Sequence, residues 1–185
     1  MADGVAIYVV HDACAVAQMR RGCIRGDAMP KAGELYDRDF VVWTEQQAAA
    51  LRRAKGSNLP LDWDNLAEEI ESLGKSQRTE LNSQVRRILR HLFKLESSLA
   101  ADPRRGWRTT ILDARTEIED VLEESPSLRH EIDTVIEKQS RAAAKLAAAD
   151  LDQHSEPADG VWARLEKGQY TVDQVLGDWF PDNTG

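Results

Sequence analysis

Three carboxylates and one imidazole are the side chains here with the most scope for chemistry. Glu68, Glu69 and Glu71 crowd one turn of a helical run that opens at Asp62, and His91 follows 22 residues after Glu69. A carboxylate-bridged metal centre in a helical bundle uses glutamates together with Glu-x-x-His pairs on facing helices. That pattern is missing, because Ile88 stands three residues before His91 and Ser127 three before His130. On one continuous helix, 22 residues bring Glu69 and His91 within about 40° around the axis but roughly 33 Å apart along it. A metal-dependent hydrolase would have to borrow ligands from another helix, from Asp113, Glu117 or His130. No metal is assigned and no cofactor is implied.

A plainer role fits the same acids. Asp62, Asp64, Glu68 and Glu69 favour the positive end of a helix, and Glu71 has the spacing to pair with Lys75. Glu69 and His91 sit beside an apolar stripe rather than opposite it, and semi-buried charge requires partners. Arg108 and Arg115, near the inner face of a later helix, are the expected ones. An ion-pair network that sets helix register is the simpler expectation, and a catalytic acid–base site the sharper alternative. Nucleophilic catalysis has no support: there is no G-x-S-x-G, no cysteine in the helical region and no phosphate-cradling glycine loop.

Basic residues form the second candidate surface. From Lys75 to Arg108 the chain carries nine bases against three acids. Arg86, Arg90 and Lys94, with Arg87 beside them, fall one turn apart and predict a basic ridge on the outer face of a long helix. Such a ridge could neutralise phosphates or dock an acidic protein face, although most charge runs are solvated surface. Five tryptophans in a chain with 6% aromatic residues add a further signal. Trp43 and Trp107 fall on core stripes, whereas Trp63, Trp162 and Trp179 are freer to meet a partner.

The elements that must position these residues are helical. A first helix is predicted from Asp37, as its cap, to Lys55, with Phe40, Trp43, Gln47, Ala50, Leu51 and Ala54 inward. The second opens at Asp62 and carries Leu66, Ile70, Leu73, Gln77, Leu81, Val85, Ile88, Leu92, Leu95 and Leu99 in one phase. That phase runs straight through Gly74, which predicts one long helix, kinked at most, ending at Asp102-Pro103. It would be roughly 55–60 Å long. That is long for so small a bundle, so part of its stripe needs cover from the C-terminal segment or a second subunit. A third helix spans about Arg105–Glu124. Ser125-Pro126 starts a fourth, which reaches about Asp150 and is alanine-rich in its later half. Residues 152–170 predict a polar connection, and Thr171 with Gln174 a capping box opening a short last helix.

Size and composition agree with one soluble domain. The chain has 185 residues, 42% hydrophobic and 30% charged, with a net charge of −8. No apolar run has the roughly 20 residues a membrane helix needs. Cys14 and Cys23 are the only cysteines, so no disulfide framework can organise the helical region, and a reducing cytoplasm is the natural setting. The order of Val5–Val10 before Arg20-Arg21 is wrong for a secretory signal. Residues 1–33 read as a loosely attached, disordered extension or a start-site artefact, with Met29-Pro30 as an alternative start. Residues 34–182 read as a single helical domain.

Tyr36-Asp37-Arg38-Asp39-Phe40, Trp43, Gln46-Gln47-Ala48, Asn65-Leu66-Ala67-Glu68-Glu69-Ile70-Glu71 and His91-Leu92-Phe93-Lys94 form an ordered series. With Trp107-Arg108-Thr109-Thr110-Ile111 and Ser125-Pro126-Ser127-Leu128, it resembles the bacterial domain-of-unknown-function family 29 from about Leu35 to Phe180. Leu95-Glu96 departs from the family's aromatic after the His-Leu-Leu-Lys-like motif. The resemblance implies a small cytosolic all-helical protein and brings no settled activity. The expectation is therefore an all-α bundle of about four main helices, with one long central helix and a short C-terminal one. Its expected role is non-catalytic, through a protein partner or a homo-oligomer and without a membrane. The alternatives are nucleic-acid association through the basic face and, third, a metal-dependent hydrolase.

Overall fold

A computed structural model describes residues 32–182, and the expectation for residues 1–33 lies almost wholly outside them. The described chain is all helical: α1 (Ala32–Arg38), α2 (Phe40–Ala54), α3 (Trp63–Ser97), α4 (Arg104–Glu124), a 3-10 turn (Pro126–Glu131), α5 (Ile132–Gln153), α6 (Asp159–Glu166) and α7 (Val172–Leu176). α2 to α5 are the four main helices.

The long helix is continuous from Trp63 to Ser97, so Glu69 and His91 stay roughly 33 Å apart. Its C-terminal half is the spine of the core. Leu81, Val85, Ile88, Leu89, Leu92 and Leu95 are buried against Ile111 and Ile118 of α4 and Ile136 and Leu151 of α5. Each such aliphatic side chain contributes about 1.5–3 kcal/mol on burial. α5 approaches closely through Ala143, Ala144, Ala147 and Ala148, leaving Leu146 in solvent. Tyr170, after α6, stands edge-on to Phe93 at 5.2 Å and completes the core.

The N-terminal half of α3 packs differently. It pairs mainly with α2, as an antiparallel hairpin whose contact runs through small residues, while Gln77 and Arg78 also reach Glu124 of α4 and Glu131 of the 3-10 turn. Thr44 and Ala48 of α2 and Ala67 and Gly74 of α3 are buried, with Val41. A Cβ at Gly74 would overlap Thr44 Oγ1, so the absence of a side chain is what lets α2 and α3 pack together at this point. The predicted stripes are therefore displaced by about a quarter turn on both helices. Leu66 and Leu73, expected inward, are exposed, and Trp43 is only partly covered.

Helix ends also differ from expectation. Asp39, not Asp37, caps α2: it accepts from Val42 N at 3.0 Å, and from Ser127 N and Oγ at 2.7 and 3.0 Å. One carboxylate thus stops α1, starts α2 and ties both to the 3-10 turn. α3 ends before Leu99 because Ser98 turns extended, and Glu156 then accepts from Ser98 Oγ and Leu99 N. The supposed connection 152–170 contains α6, whose Val161 and Leu165 reach the core while Gly160 passes close to Ser97. The Thr171–Gln174 capping box forms as expected.

Gly74→Ala is expected to lower stability by about 1–3 kcal/mol through overpacking, although alanine is the better helix former by about 1 kcal/mol. Adding Thr44→Ala removes the obstructing oxygen and leaves no atom of residue 44 nearer than the 3.4 Å contact with its Cβ. Urea denaturation followed by circular dichroism should show the double variant more stable than Gly74→Ala alone.

Candidate functional site

The acidic cluster is solvated surface at the hairpin's outer end. Glu68 and Glu69 are exposed, while Glu71 pairs with Arg52 of α2 and with Lys75 at 3.0 Å. Those hydrogen bonds hold the Glu71 carboxyl below its ordinary range. The expected partners from α4 are committed elsewhere. Arg115 is buried and donates to the carbonyls of Val175, Gln174 and Trp179 at 2.8–3.0 Å, with Phe180 stacked 4.8 Å from its guanidinium. The Arg108 guanidinium lies 5.2 Å from the centre of the same ring. Arg115 thus pins the C-terminal segment, and both guanidiniums lie against the Phe180 ring. Among the described residues no group of three His, Cys, Asp or Glu could hold a metal.

The basic ridge turns inward. Arg90 grips Asp150 of α5 with two hydrogen bonds, at 2.8 and 2.5 Å, and Lys94 reaches the same carboxylate at 2.9 Å. Arg86 donates to Gln139 at 3.1 Å, and only Arg87 is exposed. The expected outer face is corrected for a physical reason: the apolar positions beside it draw α5 close enough for these side chains to find acceptors. The Lys94 side chain is 8% exposed and lies 4.8 Å from the Trp107 ring centre. Burial pushes its ammonium pKa down, only partly opposed by Asp150. Burial alone would raise the Asp150 carboxyl, but the bonds from Arg90 and Lys94 outweigh it and hold it below the usual carboxylate range. His91, desolvated and beside Lys94 and Arg90, is pushed down to about 4. A cleft of about 970 Å³ opens here between the start of α4 and the end of α5, lined by Lys94, Trp107, Asp150 and His154.

The hairpin carries the other candidate surface. Its two sides are chemically opposite. One side holds the ion pairs Arg52–Glu71, Lys75–Glu71 and Arg78–Glu45, around a shallow polar pocket over Thr44 and Gly74. On the other side Tyr36, Phe40 and Trp43 form one aromatic cluster, with ring centres 4.8–5.8 Å apart. At about 100° per residue, Leu66, Ile70, Leu73 and Gln77 of α3 face the same way as that cluster. Phe40 and Gln77 do line one groove. Tyr36, Leu66 and Leu73 are 50%, 40% and 45% exposed, and the loop residues Leu59 and Leu61 extend the apolar character to the tip. Gln77 Nε2 donates to Glu124 at 2.9 Å, so the end of α4 closes the strip at its inner end.

Comparison with known proteins places the chain. Residues 35–180 match the family described as Domain of unknown function DUF29. The chain belongs to that family. A solved structure, an alpha-helical protein of unknown function from Rhodospirillum rubrum, shares the fold with a TM-score of 0.61 and 27% identity, covering 79% of this chain and 91% of its own. A curated relative, the non-homologous end joining protein Ku of Anaeromyxobacter sp. (strain K), is 29% identical over 163 residues. That stretch is 83% of this chain, which spans about half (53%) of the relative's length. No described helix is long and apolar enough to cross a membrane.

Sequence reasoning missed Asp150 because its partners lie about 60 residues away with no local signal. The aromatic strip did leave a trace, in the spacing of Tyr36, Phe40 and Trp43.

The two titrations separate by pH. Between pH 6.5 and about 4 the unfolded chain protonates His91 while the folded chain resists. Stability from this group is full above 6.5 and is lost as pH falls toward 4. His91→Gln should flatten the decline of the urea midpoint across that window. Asp150→Asn leaves Arg90 and Lys94 facing one another without a counter-charge and should cost about 3 kcal/mol at pH 7. Because the folded Asp150 carboxyl is held below its ordinary range, the gap between wild type and this variant should persist at neutral pH and narrow only in acid, as the unfolded chain's carboxylate takes up its proton before the folded one does.

Proposed function

We propose that this DUF29 protein is a non-catalytic cytoplasmic interaction factor that works through the bare apolar side of the α2–α3 hairpin. One observation carries the reading. Both hairpin helices meet through their small residues and leave their large apolar residues together on one side, where nothing described covers them. A solitary hairpin gains nothing by exposing Tyr36, Leu66 and Leu73 unless a partner removes them from water. A catalytic reading finds less support: the acids are exposed or paired, and the one strongly shifted imidazole is packed beside two cations.

A photo-cross-linking residue placed at Leu73 is expected to capture a discrete protein adduct in cells. The same probe at Lys138, on the exposed side of α5, is expected to capture none. Equal or absent labelling at both positions would remove the interaction reading.

A second reading, nucleic-acid association, draws on the relative named as a non-homologous end joining protein. Its support from the basic helix is reduced, because Arg86, Arg90 and Lys94 already have partners inside the fold. The exposed bases Arg87 and Arg105 remain for it. On this reading the protein is retained on heparin at low salt and released by Arg87→Glu with Arg105→Glu, since phosphate contacts are strongly salt-dependent. Flow-through at low salt would exclude it.

A further inference from the structure

We propose that the occupant of the bare hairpin strip is a second copy of the same chain, giving a two-fold dimer whose two hairpins close into one four-helix bundle. This inference rests on the interaction reading and adds the partner. The hairpin supplies half of such a bundle: two antiparallel helices, one inner side apolar and the opposite side saturated by its own ion pairs. Four-helix bundles bury an apolar side of this kind on every helix, which a lone pair cannot do. A two-fold contact is isologous, so one self-complementary patch suffices.

The placement of charge favours one arrangement. At about 100° and 1.5 Å per residue, Glu69 falls on the outer edge of the α3 strip, and Arg53 on the side of α2 turned away from α3, about 6 Å nearer the tip and within reach of a long side chain. Both are exposed, and neither has an ion pair among the described residues. When the two-fold axis runs along the hairpins, α3 of one copy lies over α2 of the other. Glu69 of each copy then borders Arg53 of its mate. The opposite arrangement, tip to root, would drive one hairpin's tip against the end of α4, where Gln77 meets Glu124. The C-terminal segment does not compete for the strip, because Arg115 and Phe180 hold it against α4.

Analytical ultracentrifugation of the purified full chain is the test. At tens of micromolar the native protein is expected to sediment as a dimer. Leu73→Glu, whose exposed position leaves the fold intact by circular dichroism, is expected to weaken dimerisation about thirtyfold or more, as a central contact should. Arg53→Glu and Glu69→Arg are each expected to weaken it about three- to fivefold, as edge ion pairs do, and the double exchange is expected to recover the loss. A strictly monomeric native protein, or a Leu73→Glu protein that dimerises as before, overturns the proposal. Should the native chain be monomeric while the Leu73 probe still captures a different protein, the second copy is wrong and the interaction reading stands. With neither dimer nor adduct, both fall.

Discussion

The hydroxyl of Thr44 pressed toward the missing side chain of Gly74 sets the distance between α2 and α3, and the outward character of the hairpin follows from it. Helices come this close only where the facing residues are small. Once Thr44, Ala48, Ala67 and Gly74 form the contact, the larger residues a quarter turn away have no place in it. Tyr36, Phe40, Trp43, Leu66 and Leu73 are displaced to one side, and the ion pairs around Glu71 and Arg78 to the other. The strip is a consequence of packing geometry.

The far end of α3 obeys a different constraint. Arg90 and Lys94 share the single carboxylate of Asp150, and Lys94 is almost wholly removed from solvent beside Trp107. Taking charge out of water is tolerable only with such partners. The same requirement makes these cations poor candidates for phosphate contact, because each is already bonded and binding elsewhere would expose Asp150 unpaired. α3 therefore joins a polar clamp at one end to an apolar strip at the other. Its unbroken course keeps the acidic cluster and His91 too far apart to act on one substrate.

Much of the architecture was legible in residue patterns. The unbroken phase from Leu66 to Leu95 announced a single helix through Gly74, and the Thr171–Gln174 signal marked a real start. Ser125-Pro126 instead opens a 3-10 turn, and the fourth main helix begins only at Ile132, because the Ser125 hydroxyl accepts from Val41 N instead of capping. Other features were hidden for identifiable reasons. α6 is short and flanked by Pro157, Gly160 and Gly168, so its few apolar residues could not establish a period. Asp37 and Asp39 are both competent caps by type, and only the turn at Ser127, 88 residues away in sequence, makes Asp39 the one that stops α1.

By itself the sequence determined the helices, their order and the amphipathic character of each, because these depend on interactions within a few residues along the chain. It could not determine which arc of each helix meets a neighbour. A hydrophobic stripe predicts burial by size and apolarity, whereas helices pack by the fit of surfaces, and at the hairpin the fit of small residues wins. For the same reason the basic ridge of Arg86, Arg90 and Lys94 reads outward along the chain and inward in space. The approach of α5, carried by Ala143, Ala144 and Ala147, decides that, since only tertiary packing brings Asp150 within hydrogen-bonding reach.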